Sequence, residues 1–300
     1  MIIKTKIEPI VMNDKSIEAL DIWGFYKKSK FLSIKHSSYF SVYEELLERF
    51  RDKELIFIEV GVLNGGSLFM WREFFGKKAR IIGVDLNPLA KKWEQYGFEI
   101  YIGSQSDSSF WKDLFDKVGE VDIVLDDGGH SYEQQIVTAS ECIPNIKNGG
   151  ILIVEDTHTS YFREFGYPSK YTFIEWTKAL IDCINSRFPS IKQYPHPFRS
   201  SIHSITVYES IVSFKISRDQ CIESISTTND GISSNAVDFR NEGTGIGQIH
   251  QLRDKATTFI KKLLPAAGNI NALRKVKDIL IDGITYTHMK WTLRRLKKYF

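Results

Sequence analysis

The region from residue 55 to residue 157 alternates short apolar runs with segments of helical periodicity. The apolar runs of strand length are Leu55–Val60, Arg80–Val84, Phe98–Ile102, Val121–Leu125 and Ile151–Val154. Helical patterns separate them, at Ser67–Phe75 and from Tyr132 to about Ile146. Buried strands that alternate with helices indicate βαβ units. The pattern therefore predicts an α/β fold with a Rossmann-like, doubly wound and mostly parallel sheet.

The segments on either side of this region carry their own patterns. Before it, Tyr39–Phe50 has the spacing of a core-packing helix. After it, Phe173–Phe188 is typical of another such helix, and Ser204–Ser217 alternates like a hairpin at the sheet edge. We predict four parts: an N-terminal helical segment at 1–54, the main domain at 55–217, a polar linker or loop at 218–250 and a basic helical C-terminal extension at 251–300.

Composition narrows the class of protein without changing the fold. Of 300 residues, 42% are hydrophobic and 26% are charged, a globular balance that excludes a wholly disordered chain. No apolar run approaches the roughly 18 residues of a membrane-spanning helix, and the first residues lack the apolar core of a secretory signal. The cysteines, Cys142, Cys183 and Cys221, form no disulfide framework, which fits a reducing cytosol. We expect a soluble, cytoplasmic protein.

The charge is unevenly distributed along the chain. From Gln251 to Phe300 there are 12 Lys and Arg against three acidic residues, which leaves −6 on residues 1–250 of a chain whose net charge is +3. A general nucleic-acid binder would spread its basic surface over the fold, so we expect no nucleic-acid partner.

The basic tail ends in an amphipathic pattern. Met289, Leu293, Leu296 and Phe300 share one helical stripe, and basic residues fill much of the remaining surface. Through residues 287–300 such a helix can lie on an anionic membrane, here the inner membrane face, or contact an assembly complex there. It can equally pack on its own domain or on a second subunit of a homo-oligomer.

The first three predicted strands end in residues that suit a nucleoside. In open parallel sheets, ligands bind outside the carboxyl ends of the strands. The first strand leads into Glu59-Val-Gly-Val-Leu-Asn-Gly-Gly-Ser67, where glycines let the backbone approach a ligand, or simply make a tight turn. Asp85 ends the second strand, where it can accept ribose hydroxyls or cap a turn, and Gly103-Ser-Gln-Ser-Asp107 follows the third. Together these ends favour a nucleoside-containing cofactor.

The fourth and fifth strands end in acidic residues and histidines. Asp126-Asp127-Gly-Gly-His130 follows one strand and Glu155-Asp156-Thr-His158 the other. If the two strands pair, their carboxylates lie close together, and a cation would relieve their repulsion. Hard oxygen ligands without cysteine suit Mg²⁺, Mn²⁺ or Ca²⁺. The alternative is that Asp126 and Asp156 cap loops while His130 is solvated; two such clusters on adjacent strand ends favour the metal.

The motifs resemble those of known methyltransferases. Glu59-x-Gly with Gly65-Gly66, Asp85 and the G-x-Q-x-D turn resemble class I S-adenosylmethionine-dependent methyltransferases. The pair D-D-G-G-H and V-E-D-T-H resembles the metal-dependent sugar O-methyltransferases of macrolide biosynthesis, the mycinamicin type, and the cephalosporin hydroxylase-like methyltransferases. His36-x-x-Tyr39 with Tyr43 is similar to a stretch before the first strand in that group. The resemblance covers about residues 33 to 212.

This resemblance implies roles for individual residues. The ligands of Mg²⁺ or Mn²⁺ would be Asp127, Glu155 and Asp156, and the catalytic pair would be Asp127 and His130, with His130 as general base. The cofactor-binding residues would be Glu59, Gly61, Asn64, Gly65, Asp85, Asp107 and Asp126. Since Asp126 adjoins Asp127, either could face the metal; the spacing of three residues before His130 favours Asp127. Ser104 stands where relatives often carry Asp.

The resemblance also implies an enzyme, which transfers the methyl group of S-adenosylmethionine to a sugar hydroxyl. The acceptor would belong to a surface polysaccharide or its precursor, or to a glycosylated natural product. Two alternatives stay open: an O-methyltransferase of catechol-type or phenolic small molecules, and a nucleoside-binding scaffold without catalysis. A dehydrogenase is disfavoured because the glycine fingerprint of dinucleotide-binding folds is missing.

Overall fold

The structure, a computed structural model, describes residues 14–191, 194–234, 247–252, 254, 255, 258, 283, 286, 290 and 294. The chain divides into two units, Pro9–Ser226 and the remaining residues. In the second unit the described residues from 247 onward are helical. The C-terminal stripe of Met289, Leu293, Leu296 and Phe300 lies outside the described residues. Among those described, no helix has the length and hydrophobicity that a membrane crossing requires.

The first unit is built on one seven-stranded sheet, which confirms the predicted fold class. Its strands are β1 (Leu55–Val60), β2 (Ala79–Asp85), β3 (Glu99–Ile102), β4 (Val121–Asp126), β5 (Ile146–Val154), β6 (Ile202–Val207) and β7 (Val212–Ile216). Their order is β3-β2-β1-β4-β5-β7-β6. The first five strands in this order run parallel to one another, whereas β7 runs antiparallel to both β5 and β6. The connections reverse direction between β1 and β4, where such folds bind ligands.

Helices surround the sheet. They are α1 (Asp14–Glu18), α2 (Asp21–Lys28), α3 (Tyr39–Leu47), α4 (Gly66–Phe75), α5 (Ser108–Val118), α6 (Tyr132–Cys142) and α7 (Phe173–Asn185). Short 3₁₀ segments lie at Glu48–Phe50, Pro88–Tyr96, Ile143–Asn145, Thr157–Tyr161, Arg163–Phe165, Pro197–Ser200 and Arg218–Gln220.

Alternate side chains of the strands enter two separate hydrophobic clusters. Phe57 packs in a cluster with Trp71 of α4, and the next residue, Ile58, packs in a second cluster with Trp111 of α5. Because successive strand residues point to opposite faces, the sheet is covered on both sides. This accounts for the continuous apolar runs by which the strands were predicted.

The boundary between α6 and β5 differs from the prediction. The sequence pattern extends the helix to about Ile146, but α6 ends at Cys142 and β5 begins at Ile146. Pro144 lies between them, in the 3₁₀ segment Ile143–Asn145, and it has no backbone N–H with which to continue the α-helical hydrogen bonds. The residues Asn148-Gly149-Gly150, which precede the predicted strand Ile151–Val154, lie within β5, at a register shift against β4. Gly149 has a φ of +85°, which explains how the strand accommodates the irregularity.

Candidate active site

A cavity of about 490 Å³ opens at the carboxyl end of the sheet. Residues at the ends of β1 and β2 and in the turns after β1 to β5 line it, together with Ile34 from the segment before α3. Its volume falls in the range of small-molecule and cofactor sites, about 300–1,000 Å³. Of the predicted cofactor residues, Gly61 and Asp85 line the cavity, and so do Asp127, His130 and Asp156. Ser104 and Gln105 form part of the same wall.

The turn after β1 needs its glycines for conformation and packing. Gly61 has a φ of +89°, and a Cβ there would stand 2.1 Å from the backbone oxygen of Asp127. Gly65, at the start of α4, has a φ of +76°, and a Cβ there would meet the Trp93 ring at 2.4 Å. Gly61 therefore brings the turn against the end of β4. Gly65 and Asn64 are not among the cavity-lining residues, so their predicted contact with the cofactor stays a prediction.

Asp85, the last residue of β2, also binds the turn that follows β1. Its Oδ2 accepts hydrogen bonds from the backbone amides of Val62 (2.9 Å) and Leu63 (3.0 Å), and its Oδ1 accepts one from Asn87 (2.8 Å). An ionised carboxylate offers about four acceptor positions, so Asp85 can still accept ribose hydroxyls. Asp85 thus caps the turn at Asn87, which was the alternative to a role in ribose binding, and its carboxylate still lines the cavity.

Two other acidic residues, Asp107 and Asp126, were expected to contact the cofactor, but their carboxylates point away from the cavity. Asp107 begins α5, where its Oδ1 accepts bonds from the backbone and hydroxyl of Ser109, and it does not line the cavity. Asp126 is buried, and its Oδ1 accepts a bond of 2.9 Å from Gln105. Burial raises the pKa of Asp126 to about 7. Cofactor contact by either carboxylate stays a prediction, and Asp126 faces the Gln105 side rather than the acidic cluster.

The ends of β4 and β5 meet as predicted. His130 Nε2 lies 3.3 Å from Asp156 Oδ2 and 3.9 Å from Asp127 Oδ1. Because β4 and β5 pair in parallel, with Asp126 opposite Val154, their following residues share one rim. His130 and Asp156 adopt φ values of +60° and +54°, an uncommon backbone conformation for residues other than glycine. The structure thus selects Asp127, not Asp126, as the carboxylate that faces this group.

This group fits a divalent cation. One ligand atom from each of Asp127, His130 and Asp156 lies within 4.8 Å of the others. On the other oxygen of Asp156, His36 Nε2 stands at 3.7 Å and His158 Nδ1 at 3.9 Å. The carboxylate oxygens of Asp127 and Asp156 are ligands that suit Mg²⁺ or Mn²⁺. Tyr39 donates a hydrogen bond of 2.5 Å to Asp156 and so fixes its orientation.

Glu155 does not belong to this group of possible cation ligands, because the ammonium group of Lys35 binds both of its carboxylate oxygens. Lys35 Nζ lies 3.2 and 3.0 Å from the two carboxylate oxygens of Glu155, and 2.6 Å from Asp127 Oδ2. Tyr43 donates a further bond to Glu155, whose side chain is fully buried. The structure therefore brings together two of the three predicted metal ligands. A role for Glu155 as a direct ligand stays a prediction.

Glu59 lies behind the cavity instead of lining it. It accepts bonds from Ser67 Oγ (2.8 Å) and Trp71 Nε1 (3.0 Å), and Lys35 Nζ lies 3.9 Å away. Burial raises the pKa of Glu59 to about 7, although Lys35 opposes the shift. Its predicted contact with the cofactor stays a prediction.

The sequence pattern did not point to Lys35 or Ile34. Both lie in an irregular segment between α2 and α3 that has no periodicity. Lys35 immediately precedes the His36-x-x-Tyr39 motif, which is the only local signal, and a lysine in a polar segment is usually solvated.

The chain is similar to methyltransferases in both sequence and structure. Residues 58–157 match the family described as "Methyltransferase domain". The chain is 31% identical over 177 residues to the 8-demethyl-8-alpha-L-rhamnosyl tetracenomycin-C 2'-O-methyltransferase of Streptomyces olivaceus, covering 53% of this chain and 46% of the relative. It is 28% identical over 154 residues to the mycinamicin VI 2''-O-methyltransferase of Micromonospora griseorubida, covering 47% and 38%. The chain thus spans less than half the length of these relatives.

A solved structure gives the same result. MycE methyltransferase from the mycinamycin biosynthetic pathway, in complex with Mg and SAH, superposes with a TM-score of 0.59 at 25% identity, over 66% of this chain and 54% of that one. A second structure of MycE also contains mycinamycin VI and superposes with a TM-score of 0.58. These matches confirm the resemblance to sugar O-methyltransferases of the mycinamicin type and the Rossmann-like fold that the sequence predicts.

Proposed function

We propose that this protein is an S-adenosylmethionine-dependent O-methyltransferase that uses a divalent cation, Mg²⁺ or Mn²⁺, to methylate a sugar hydroxyl. The observation that carries the proposal is the position of Asp127, His130 and Asp156 on the rim of the cavity that also contains Asp85. A nucleoside site and a cation site thus share one opening. The similarity to enzymes named as sugar O-methyltransferases supports the same conclusion.

The residues of the cavity divide the work between donor and acceptor. Asp85 and the turn at Gly61 would hold the nucleoside of the donor, and Asp127 and Asp156 would hold the cation. When bound, the donor supplies a sulfonium methyl group and the cation lowers the pKa of the hydroxyl that it binds. His130 Nε2 would take the hydroxyl proton as the new oxygen–methyl bond forms and the methyl–sulfur bond breaks. The rigid strand ends align the reacting groups.

The acceptor belongs to one of two classes. The relatives named above act on the sugars of tetracenomycin and mycinamicin compounds, so a glycosylated natural product is one class. A surface polysaccharide or its precursor is the other. Exposed aromatic side chains after β5, Tyr161, Phe162 and Tyr167, lie close to this rim in sequence and can stack on a sugar ring.

Two further expectations concern where the protein works. We propose a cytoplasmic enzyme, since S-adenosylmethionine and reduced thiols both suit that compartment. Contact of residues 287–300 with a membrane face, an assembly complex or a second subunit stays a prediction that rests on charge and periodicity alone.

The test is methyl transfer from radiolabelled S-adenosylmethionine to a panel of glycosides and nucleotide sugars. We expect transfer in Mg²⁺, its loss in EDTA and its recovery when Mg²⁺ is restored. We expect His130→Ala to reduce turnover by about 10²–10⁴-fold, the usual contribution of a general base, with little change in donor binding.

The matched control is His250→Ala, because His250 is exposed and is not among the residues that line the cavity. It should keep wild-type turnover. Transfer that persists in EDTA would remove the cation from the proposal, and normal turnover of His130→Ala would remove the base.

A further inference from the structure

Lys35 is a buried ammonium group inside the predicted cation site. Its side chain is 1% exposed, and its Nζ contacts Asp127 at 2.6 Å and Glu155 at 3.0 Å. Burial alone would lower the pKa of Lys35, but the charges of Asp127, Glu155 and Glu59 raise it above its ordinary value. A buried charge is costly unless it is paired. Lys35 is therefore held in place as the counter-ion of these carboxylates.

Asp127 divides its two oxygens between Lys35 and the rim. Oδ2 accepts the bond from Lys35, whereas Oδ1 lies on the side of His130. Glu155 has both oxygens within hydrogen-bond distance of Lys35 and receives the hydroxyl of Tyr43 as well. A cation that enters the site can thus reach Asp127 Oδ1 and Asp156 without moving Lys35. It reaches Glu155 only by displacing the ammonium group.

We propose that Lys35 is a positioning residue that competes with the divalent cation for Asp127 and Glu155 and thereby sets how tightly the site binds metal. The proposal rests on the function proposed above. It adds Lys35, which is not part of the sequence motifs that indicated that function. In the resting site, Lys35 holds the carboxylates together and neutralises part of their charge. The cation then binds a preformed but weakened site on Asp127 and Asp156, with Glu155 kept behind Lys35.

The electrostatic consequence has a definite sign. Removal of one positive charge a few ångströms from the cation site increases the attraction for a divalent ion, because like charges repel more strongly at short range and low dielectric. The same removal leaves the buried carboxylates of Asp127 and Glu155 without a partner. The metal-free protein should therefore lose stability, and the metal should restore it, because a ligand that binds only the folded state stabilises it.

The experiment measures Mn²⁺ binding from the loss of the free-ion electron paramagnetic resonance signal, with no donor or acceptor present. The proteins are wild type, Lys35→Met and the control Lys28→Met, which removes an exposed lysine at the end of α2. We expect Lys35→Met to bind Mn²⁺ at least about tenfold more tightly than wild type. Its melting temperature should fall without metal and recover at saturating Mn²⁺. Lys28→Met should match wild type in both measurements.

An affinity of Lys35→Met equal to or below that of wild type would overturn the role of Lys35 and leave the proposed function intact. If neither wild type nor Lys35→Met binds Mn²⁺, both the role of Lys35 and the cation-dependent function proposed above fail.

A second variant decides the matter if Lys35→Met does not fold even with Mn²⁺. Lys35→Met/Glu155→Gln removes one charge of each sign, so the net charge of the site is unchanged. It should bind Mn²⁺ at least as tightly as wild type, because Asp127 is released. Weaker binding than wild type would contradict the competition, because removal of the ammonium group would then not have made Asp127 more available to the cation.

Discussion

Two adjacent aspartates show how local environment assigns a role to a residue. Asp126 ends β4 with its side chain buried against Gln105, whereas Asp127 begins the following turn and faces His130 and Lys35. Because successive residues at a strand end point in opposite directions, only one of the two can reach the rim. Sequence spacing to His130 favours Asp127, and the geometry agrees.

At the same scale, Glu59 makes the stability of the protein depend on pH. Its pKa in the folded protein is raised to about 7 by burial, so the folded state holds the proton over a pH range in which the unfolded state has released it. The stabilisation that comes from protonated Glu59 is fully present below the ordinary pKa of glutamic acid and is lost as the pH rises to about 7. The free energy of unfolding should therefore fall over this window, by up to about 3 kcal/mol.

Urea unfolding at a series of pH values tests this contribution of Glu59. Glu59→Gln cannot titrate, so its free energy of unfolding should decline less with pH than that of wild type. Glu54→Gln, which changes an exposed residue of the same segment, should keep the wild-type slope. Identical slopes for Glu59→Gln and wild type would show that Glu59 has an ordinary pKa.

At the scale of elements, the turn between β1 and α4 holds two strand ends at the distance the site needs. Gly61 combines a φ of +89° with a backbone contact that leaves no space for a side chain, whereas Gly97 has a φ of +84° and open space around it. Gly97→Ala should therefore cost only the conformational penalty, about 1 kcal/mol. Gly61→Ala should cost more, since the turn must also move away from Asp127.

The paired variants separate these two effects by denaturant unfolding and by S-adenosylhomocysteine titration. We expect Gly61→Ala to lose both stability and affinity, and Gly97→Ala to lose a little stability alone. If both glycines cost the same stability and neither changes affinity, the turn at Gly61 has no special part in the site.

The sequence predicts those elements whose hydrophobic pattern lies within the element itself. β1, β2 and β4 are buried on both faces, so each is a continuous apolar run, and their carboxyl ends carry the motifs. The position of Lys35 depends on contacts with residues 92 and 120 positions away in sequence, and no pattern around Lys35 records them. The predicted end of α6 at about Ile146 is wrong because the apolar periodicity of the helix continues into β5.

At the scale of the whole molecule, one rim of the described sheet carries the residues proposed for the donor and for the cation. The chain spans less than half the length of the curated relatives that it matches, and those matches cover about half of this chain. The donor site is the part of the proposed function that the cavity supports most directly, through Gly61 and Asp85.

The central claim is therefore tested most directly by calorimetric titration of S-adenosylhomocysteine into the wild-type protein, Asp85→Ala and the control Asp113→Ala. Asp85 lines the cavity, whereas Asp113 is exposed on α5 and does not line it. We predict binding of roughly micromolar affinity to wild type and Asp113→Ala, in the common range for enzyme ligands, and a loss of at least about tenfold in Asp85→Ala. Absence of binding to the wild-type protein would contradict the assignment of this cavity to S-adenosylmethionine and, with it, the methyltransferase function.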